Sequence, residues 1–162
     1  MNVIFRRGMR GYFVPLVAGV VLTISAFLPW VVVDGAARKG VPEVPGLWVA
    51  GLGAVAAVLA LLSLITRKNS RHPLLVVGLI SSGILFLTWR ILPRLAGEQA
   101  LTISQAIAIA ENTPLGRTPV ALAGSGIYIG LIAAGVLVGF GLTIVVRRAK
   151  PYVVVDPNDD VP

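Results

Sequence analysis

The chain has no cysteine and a single histidine. A disulfide framework, a thiolate metal site, a thiol nucleophile and a two-histidine haem or metal site within the chain are thereby excluded. His72 stands among Arg67, Lys68 and Arg71 just before Pro73, which is the setting of a solvated or headgroup-facing residue. Charge is also scarce, at 13% of residues, and it is missing altogether from residues 11–33, 44–66, 73–89 and 118–146. These stretches hold none of the acids, bases or histidines from which proton relays and ion-coupled carriers are built. A Ser-His-Asp set, paired intramembrane carboxylates and a phosphate-cradling glycine loop are likewise missing. Gly51-Leu52-Gly53 lies inside an apolar helix pattern with no strand before it, so it gives no nucleotide site.

What remains is hydrophobic, with 56% apolar residues and a mean hydropathy of +0.88. A bilayer core about 30 Å thick needs roughly 20 apolar residues at about 1.5 Å each. The chain therefore reads as one all-α domain, a four-helix transmembrane bundle with spans at about 11–33, 46–66, 73–92 and 119–146. The first run is longer than the roughly 7–15 apolar residues of a cleaved signal peptide, which predicts a retained span.

The net charge of +7 does not form a nucleic-acid-binding face, because the basic residues sit at the ends of the apolar runs. Arg6, Arg7, Arg10, Arg67, Lys68, Arg71, Arg147, Arg148 and Lys150 fall on one side. Arg38, Lys39, Arg90, Arg94 and Arg117 fall on the other. Nine against five predicts both termini in the cytoplasm of a bacterial inner membrane, with 34–43 and 93–118 as outer loops. Trp30, Trp48, Trp89 and Tyr128 would form an aromatic belt at the outer interface.

An internal repeat is also expected. An offset of 59 carries Leu16, Val17, Gly19, Phe27, Leu28 and Trp30 onto Leu75, Val76, Gly78, Phe86, Leu87 and Trp89. An offset of 80 carries Gly46-Leu47-Trp48 onto Gly126-Ile127-Tyr128 and Arg67-Lys68 onto Arg147-Arg148. The chain thus reads as two tandem helical hairpins related about the membrane normal. In the second outer loop Thr102-Ile103-Ser104-Gln105 has the form of a capping box, predicting a short amphipathic element over 100–111 that Pro114 and Gly116 end. A strand also fits that segment. The tail from Pro151 to Pro162 has an apolar start and an acidic end, and is expected to lie extended on the cytoplasmic face or on a partner.

Hydroxyls at Thr23, Ser25, Ser63, Ser81, Ser82, Ser125 and Thr143 are the polar groups inside the spans, and are expected to bond back to helix carbonyls or across to a neighbour. Gly126 and Gly130, then Gly135 and Gly139, form two small-xxx-small pairs on the fourth span, more than one neighbouring helix can use. The surplus predicts a docking face for another membrane protein. Leu28-Pro29-Trp30, a short polar loop and Gly46-Leu47-Trp48, followed by a glycine-led fourth span, resemble small bacterial four-span proteins of unassigned function, over most of the chain. The tryptophan followed by Gly-Leu-Trp also resembles the claudin first extracellular segment. Here the loop is much shorter and the cysteine pair is missing, so the expectation stays all-α, without that segment's sheet.

The functional expectation is a non-catalytic accessory subunit of a larger membrane complex, of respiratory or photosynthetic type, acting through helix packing. Its partners would be the lipid bilayer and other integral membrane subunits, with no cofactor, metal or catalytic residue. The second expectation is a small carrier or channel for an uncharged or lipidic molecule, using the bundle interface.

Overall fold

The computed structural model describes residues 10–66, 71–114 and 116–148. The tail from Pro151 to Pro162 lies outside the described residues. A 3-10 turn, Arg10–Tyr12, leads into helix α1 (Phe13–Ser25), strands β1 (Pro29–Val33) and β2 (Ala36–Lys39), and helix α2 (Val44–Thr66). Helix α3 (Arg71–Glu111), strand β3 (Ala121–Ala123) and helix α4 (Ser125–Arg148) follow. Three of the helices, α2, α3 and α4, are long and apolar enough to cross a membrane, and α1 is a shorter apolar helix.

The architecture is not purely α-helical. The first charge-free run divides: α1 ends at Ser25, and the amides of Phe27 and Leu28 close a turn onto the carbonyls of Ile24 and Ser25. Pro29 then offers no amide to a continuing helix, and the β-branched residues after Trp30 favour an extended strand. β1 is the middle strand of a three-stranded antiparallel sheet of order β2-β1-β3. Val33 faces Ala36 across a two-residue turn in which Asp34 (φ 47°) and Gly35 (φ 83°) are both left-handed. That is the type I′ geometry Asp-Gly favours, because its twist matches that of the strands. On the other edge Val31, Val32 and Val33 pair with Ala123, Leu122 and Ala121.

The third expected span and the short outer element are one helix of 41 residues that passes through Pro93. At about 1.5 Å per residue it is about 61 Å long, twice the thickness of a bilayer core. Thr102 is no cap; its hydroxyl donates to the Glu98 carbonyl one turn back at 2.9 Å. The helix stops at Asn112, in the left-handed conformation (φ 49°), with Asn112 N bonded to Ile109 O and Thr113 N to Ala108 O. This is a Schellman closure. It leaves a connection of only 112–120 where 93–118 was expected.

Each helix of the first hairpin has its burial pattern repeated in the second. Pro15, Ala18, Gly19 and Leu22 are buried along α1 and Ala26 just beyond it, and Leu74, Val77, Gly78, Ser81 and Leu85, each 59 positions later, are buried along α3; buried Ser25 falls on the half-buried Ile84. Gly46, Val49, Gly53, Ala56 and Ala60 of α2 recur as Ile127, Gly130, Ala134, Leu137 and Gly141 of α4, each 81 positions later. Packing therefore sets the second offset one residue beyond the 80 that matched residue types. α1 packs most extensively on α2 and α3 on α4, while α1–α4 and α2–α3 form the seams between the hairpins.

Candidate functional site: the helix seams and the three-stranded sheet

Within each hairpin, glycine brings the backbones together. A Cβ added to Gly19 would lie 2.6 Å from the Ala57 nitrogen, and one added to Gly53 would lie 2.6 Å from the Thr23 nitrogen. In the second hairpin a Cβ on Gly78 would lie 2.9 Å from the Val138 nitrogen. These contacts forbid side chains and give close van der Waals packing, the term that holds helices together where lipid removes the hydrophobic drive.

The four glycines singled out on α4 divide into two kinds. Gly126 and Gly130 face inward: a Cβ on Gly126 would lie 2.7 Å from Cδ1 of Trp30, and one on Gly130 would lie 2.9 Å from Oγ of Ser25. Gly135 and Gly139 face outward, with no described atom within 4 Å of an added Cβ. Gly141, which the spacing argument passed over, packs on Leu75 and does the work inside the bundle that Gly139 does not.

The four aromatic residues expected at one interface also divide. Trp48 (62% exposed) and Tyr128 (48%) are on the outside, and the half-buried Trp89 donates from Nε1 to the Tyr128 hydroxyl at 3.3 Å. Trp30 is 1% exposed and belongs to the core. Its Nε1 donates to the Ser25 carbonyl at 2.9 Å, freed by the end of α1, and Gly40 and Gly126 close against its ring. A belt tryptophan needs one wet edge; this one has its polar edge satisfied internally.

Most of the intramembrane hydroxyls bond to their own helices. Thr23 donates to Gly19 O at 3.0 Å, Ser25 to Leu22 O at 2.7 Å, Ser63 to Leu59 O at 2.8 Å, and Thr143 to Phe140 O at 2.7 Å. Ser81 is fully buried, and its hydroxyl has no partner among the described residues. Such self-bonded hydroxyls line no polar path. His72 is exposed at the start of α3.

Two apolar grooves open at the seams. One, of about 650 Å³, lies between α1 and α4 with Ala18 and Ala133 in its wall. The other, of about 610 Å³, lies between α2 and α3 beside Trp48, Ile84 and Thr88. Where β3 meets β1, Asp34 welds the α1–α2 connection to the α3–α4 connection: its Oδ1 accepts from Val120 N at 3.1 Å, and its own N donates to Val120 O at 3.2 Å. No family model, no curated protein and no solved structure matches this chain.

Proposed function

We propose that the chain is a non-catalytic accessory subunit of a larger bacterial inner-membrane complex, crossing the bilayer four times with both termini in the cytoplasm. The observation that carries this reading is the outward pair Gly135 and Gly139, one turn apart beside exposed Ile132 and Val136. Open glycines in a helix interior cost roughly 0.5–1 kcal/mol each relative to alanine. An outward pair is accounted for when another helix packs there as Ala57 packs on Gly19. α1 and its leading 3-10 turn rise about 26 Å together, nearly the depth of the core. The shared burial patterns support a tandem duplication, in which the second hairpin repeats the first.

Gly135→Leu and Gly139→Leu test the subunit role. Both add apolar surface, so membrane insertion is expected to persist, while native gels are expected to show the chain released from its complex. Unchanged complex size in both variants, with no partner recovered with the parent chain, would sink the proposal. The α2–α3 groove favours a second reading, a carrier of a lipidic molecule, in which the same variants stay monomeric and lose uptake.

A further inference from the structure

Helix α3 carries two seams of the same spacing on opposite faces of its C-terminal half. Gly97, Leu101, Ser104 and Ala108 make the first. Gln99, Ile103, Ala106 and Ala110, two positions further along, make the second, about 200° around the axis. The chain returning from Asn112 covers the first seam. Thr113 N bonds to Ala108 O, Gly97 and Leu101 share a recess with Pro119 and Ala121, and a Cβ added to Gly97 would lie 3.6 Å from Cβ of Ala121. No described residue covers the second seam: Gln99, Ile103, Ala106 and Ala110 are all exposed, as are Ile107 and Ile109 beside them.

In lipid such a face needs no partner, but this one stands beyond the lipid. A core about 30 Å thick takes roughly 20 residues of helix, which from Arg71 brings α3 to the level of Arg90 and Arg94. Residues 94–111 then extend about 25 Å further. Ile103, Ile107 and Ile109, exposed by 55%, 50% and 81%, are apolar surface in water, where burial is favourable. Steps of four, three and four residues are the a/d repeat of a left-handed two-helix coiled coil. Gln99, Thr102 and Ile103 already line a hollow of about 440 Å³. With Ala106 they form the four-residue hole that receives an isoleucine from a facing helix.

The pattern suits a second copy of the same chain. Copies inserted under one charge bias share an orientation, so the axis relating a pair lies along the membrane normal and α3 meets its counterpart parallel and in register. Each seam residue then faces itself. Like charges do not meet in that arrangement, because Arg94, Glu98 and Glu111 lie off the seam and off the positions flanking it. Gln99, the polar residue of the seam, is matched by a group that both donates and accepts, as an identical amide does, whereas an apolar helix would leave it unpaired. The chain's own terminal segments leave from Arg10 and Arg148, at the end of the bundle where Tyr12 and Arg71 meet Phe140. The bilayer core separates them from this face. The seam is about 17 Å long, and free helices of that length do not hold one another in water. Here the covered seam keeps α3 preformed and the membrane confines both copies, which lowers the cost of ordering and encounter.

We propose that the C-terminal half of α3 is a self-association surface, on which two copies of the chain pair as a short parallel coiled coil with Ile103 on Ile103, Ala106 on Ala106 and Gln99 fixing the register. The inference rests on the membrane placement proposed above, but neither on the partner at Gly135 and Gly139 nor on the side of the membrane that the termini occupy.

The native lack of cysteine makes disulfide scanning of the full-length chain in isolated membranes the test. A disulfide needs Cα atoms roughly 4.4–6.8 Å apart, a separation that the pairing gives across the axis at seam positions. Ile103→Cys and Ala106→Cys are each expected to yield a covalent dimer on mild oxidation. Glu98→Cys and Gln105→Cys, on neighbouring turns but off the seam, are expected to yield none. Ile103→Glu in the Ala106→Cys background sets two carboxylates face to face and is expected to abolish the dimer, while Ile103→Leu keeps it. Dimer at all the scanned positions, or at none of them in a chain present in the membrane fraction, overturns the pairing. So does an adduct of Ile103→Cys whose mass is not twice that of the chain, because the face then belongs to a different protein. Should Ile103→Glu fail to insert, Gln99→Glu in the same background poses the same clash, and persistence of the dimer there is equally fatal. A parent chain missing from the membrane fraction overturns the placement itself, whereas dimer confined to the seam positions of well-inserted chains supports the pairing.

Discussion

Gly19 of α1 lies against Ala57 of α2 so closely that a single methyl group on the glycine would sit 2.6 Å from the facing backbone nitrogen. The equivalent contact in the second hairpin, Gly78 on Val138, reproduces the arrangement at 2.9 Å. Both glycines are fixed by the neighbouring helix rather than by any backbone conformation of their own.

Gly19→Ala and Gly53→Ala are each expected to destabilise the protein by about 1–3 kcal/mol, the range for overpacking a close contact. Gly78→Ala, meeting Val138 at a slightly longer distance, falls toward the lower end. Gly51→Ala and Gly83→Ala, where an added Cβ meets no described atom within 4 Å, are expected to be neutral or to stabilise by up to about 1 kcal/mol. Unfolding in mixed micelles, read by circular dichroism, separates the two sets.

Trp30 combines a filled cavity with an internal hydrogen bond. Trp30→Ala is expected to cost about 3–5 kcal/mol, as for other large core aromatics. Trp30→Phe keeps part of the volume and removes the donor to Ser25 O, a loss of about 1 kcal/mol, since that carbonyl also accepts from Leu28 N. Tryptophan emission provides the check: the Trp30 contribution, taken by difference from Trp30→Phe, is expected to be blue-shifted and insensitive to aqueous quenchers.

Asp34→Ala removes the acceptor for Val120 N and puts alanine at a positive φ. The combined cost is about 1–3 kcal/mol, confined to the edge where β3 joins β1. Hydrogen exchange is expected to quicken at Val120, which loses its acceptor, and at Gly124, whose amide donates to Trp30 O, while the amides of α2 keep their protection.

The proposed orientation has its own assay, made simple by the lack of native cysteine. Gly116→Cys is expected to react with a membrane-impermeant thiol reagent in intact cells, and Asn69→Cys only after lysis. Labelling confined to Asn69→Cys would reverse the orientation.

The apolar runs that became α2, α4 and the first half of α3 were legible because twenty uncharged residues in sequence have few other fates. β1 was not, since Trp30 to Val33 are as hydrophobic as the helix before them and a hydropathy window cannot see the change of period. Two local signals stood nearby: Pro29, which denies the helix an amide, and Asp34-Gly35, a strong hairpin pair between apolar and polar residues. The 41-residue length of α3 was hidden by Pro93, whose ring usually marks a boundary, and its end by Asn112, which lacks the punctuating force of Pro114 and Gly116. Spacing identified the glycines of α4 without assigning their faces, because partners such as Trp30 come from a segment that the sequence placed in lipid.

The three-stranded sheet also orders the chain in time. Its central strand, β1, meets β2 across a two-residue turn, but its other edge waits for β3, whose partners lie about ninety positions further along the polypeptide. Closing that interval costs entropy that no local contact repays beforehand. A nascent chain with only its first three helices in place therefore carries an unpaired strand edge, the kind of surface that invites wrong partners. The edge is occupied once β3 has followed α3 out of the bundle, and so the Asp34–Val120 weld marks a polypeptide that has been extended past the whole of α3.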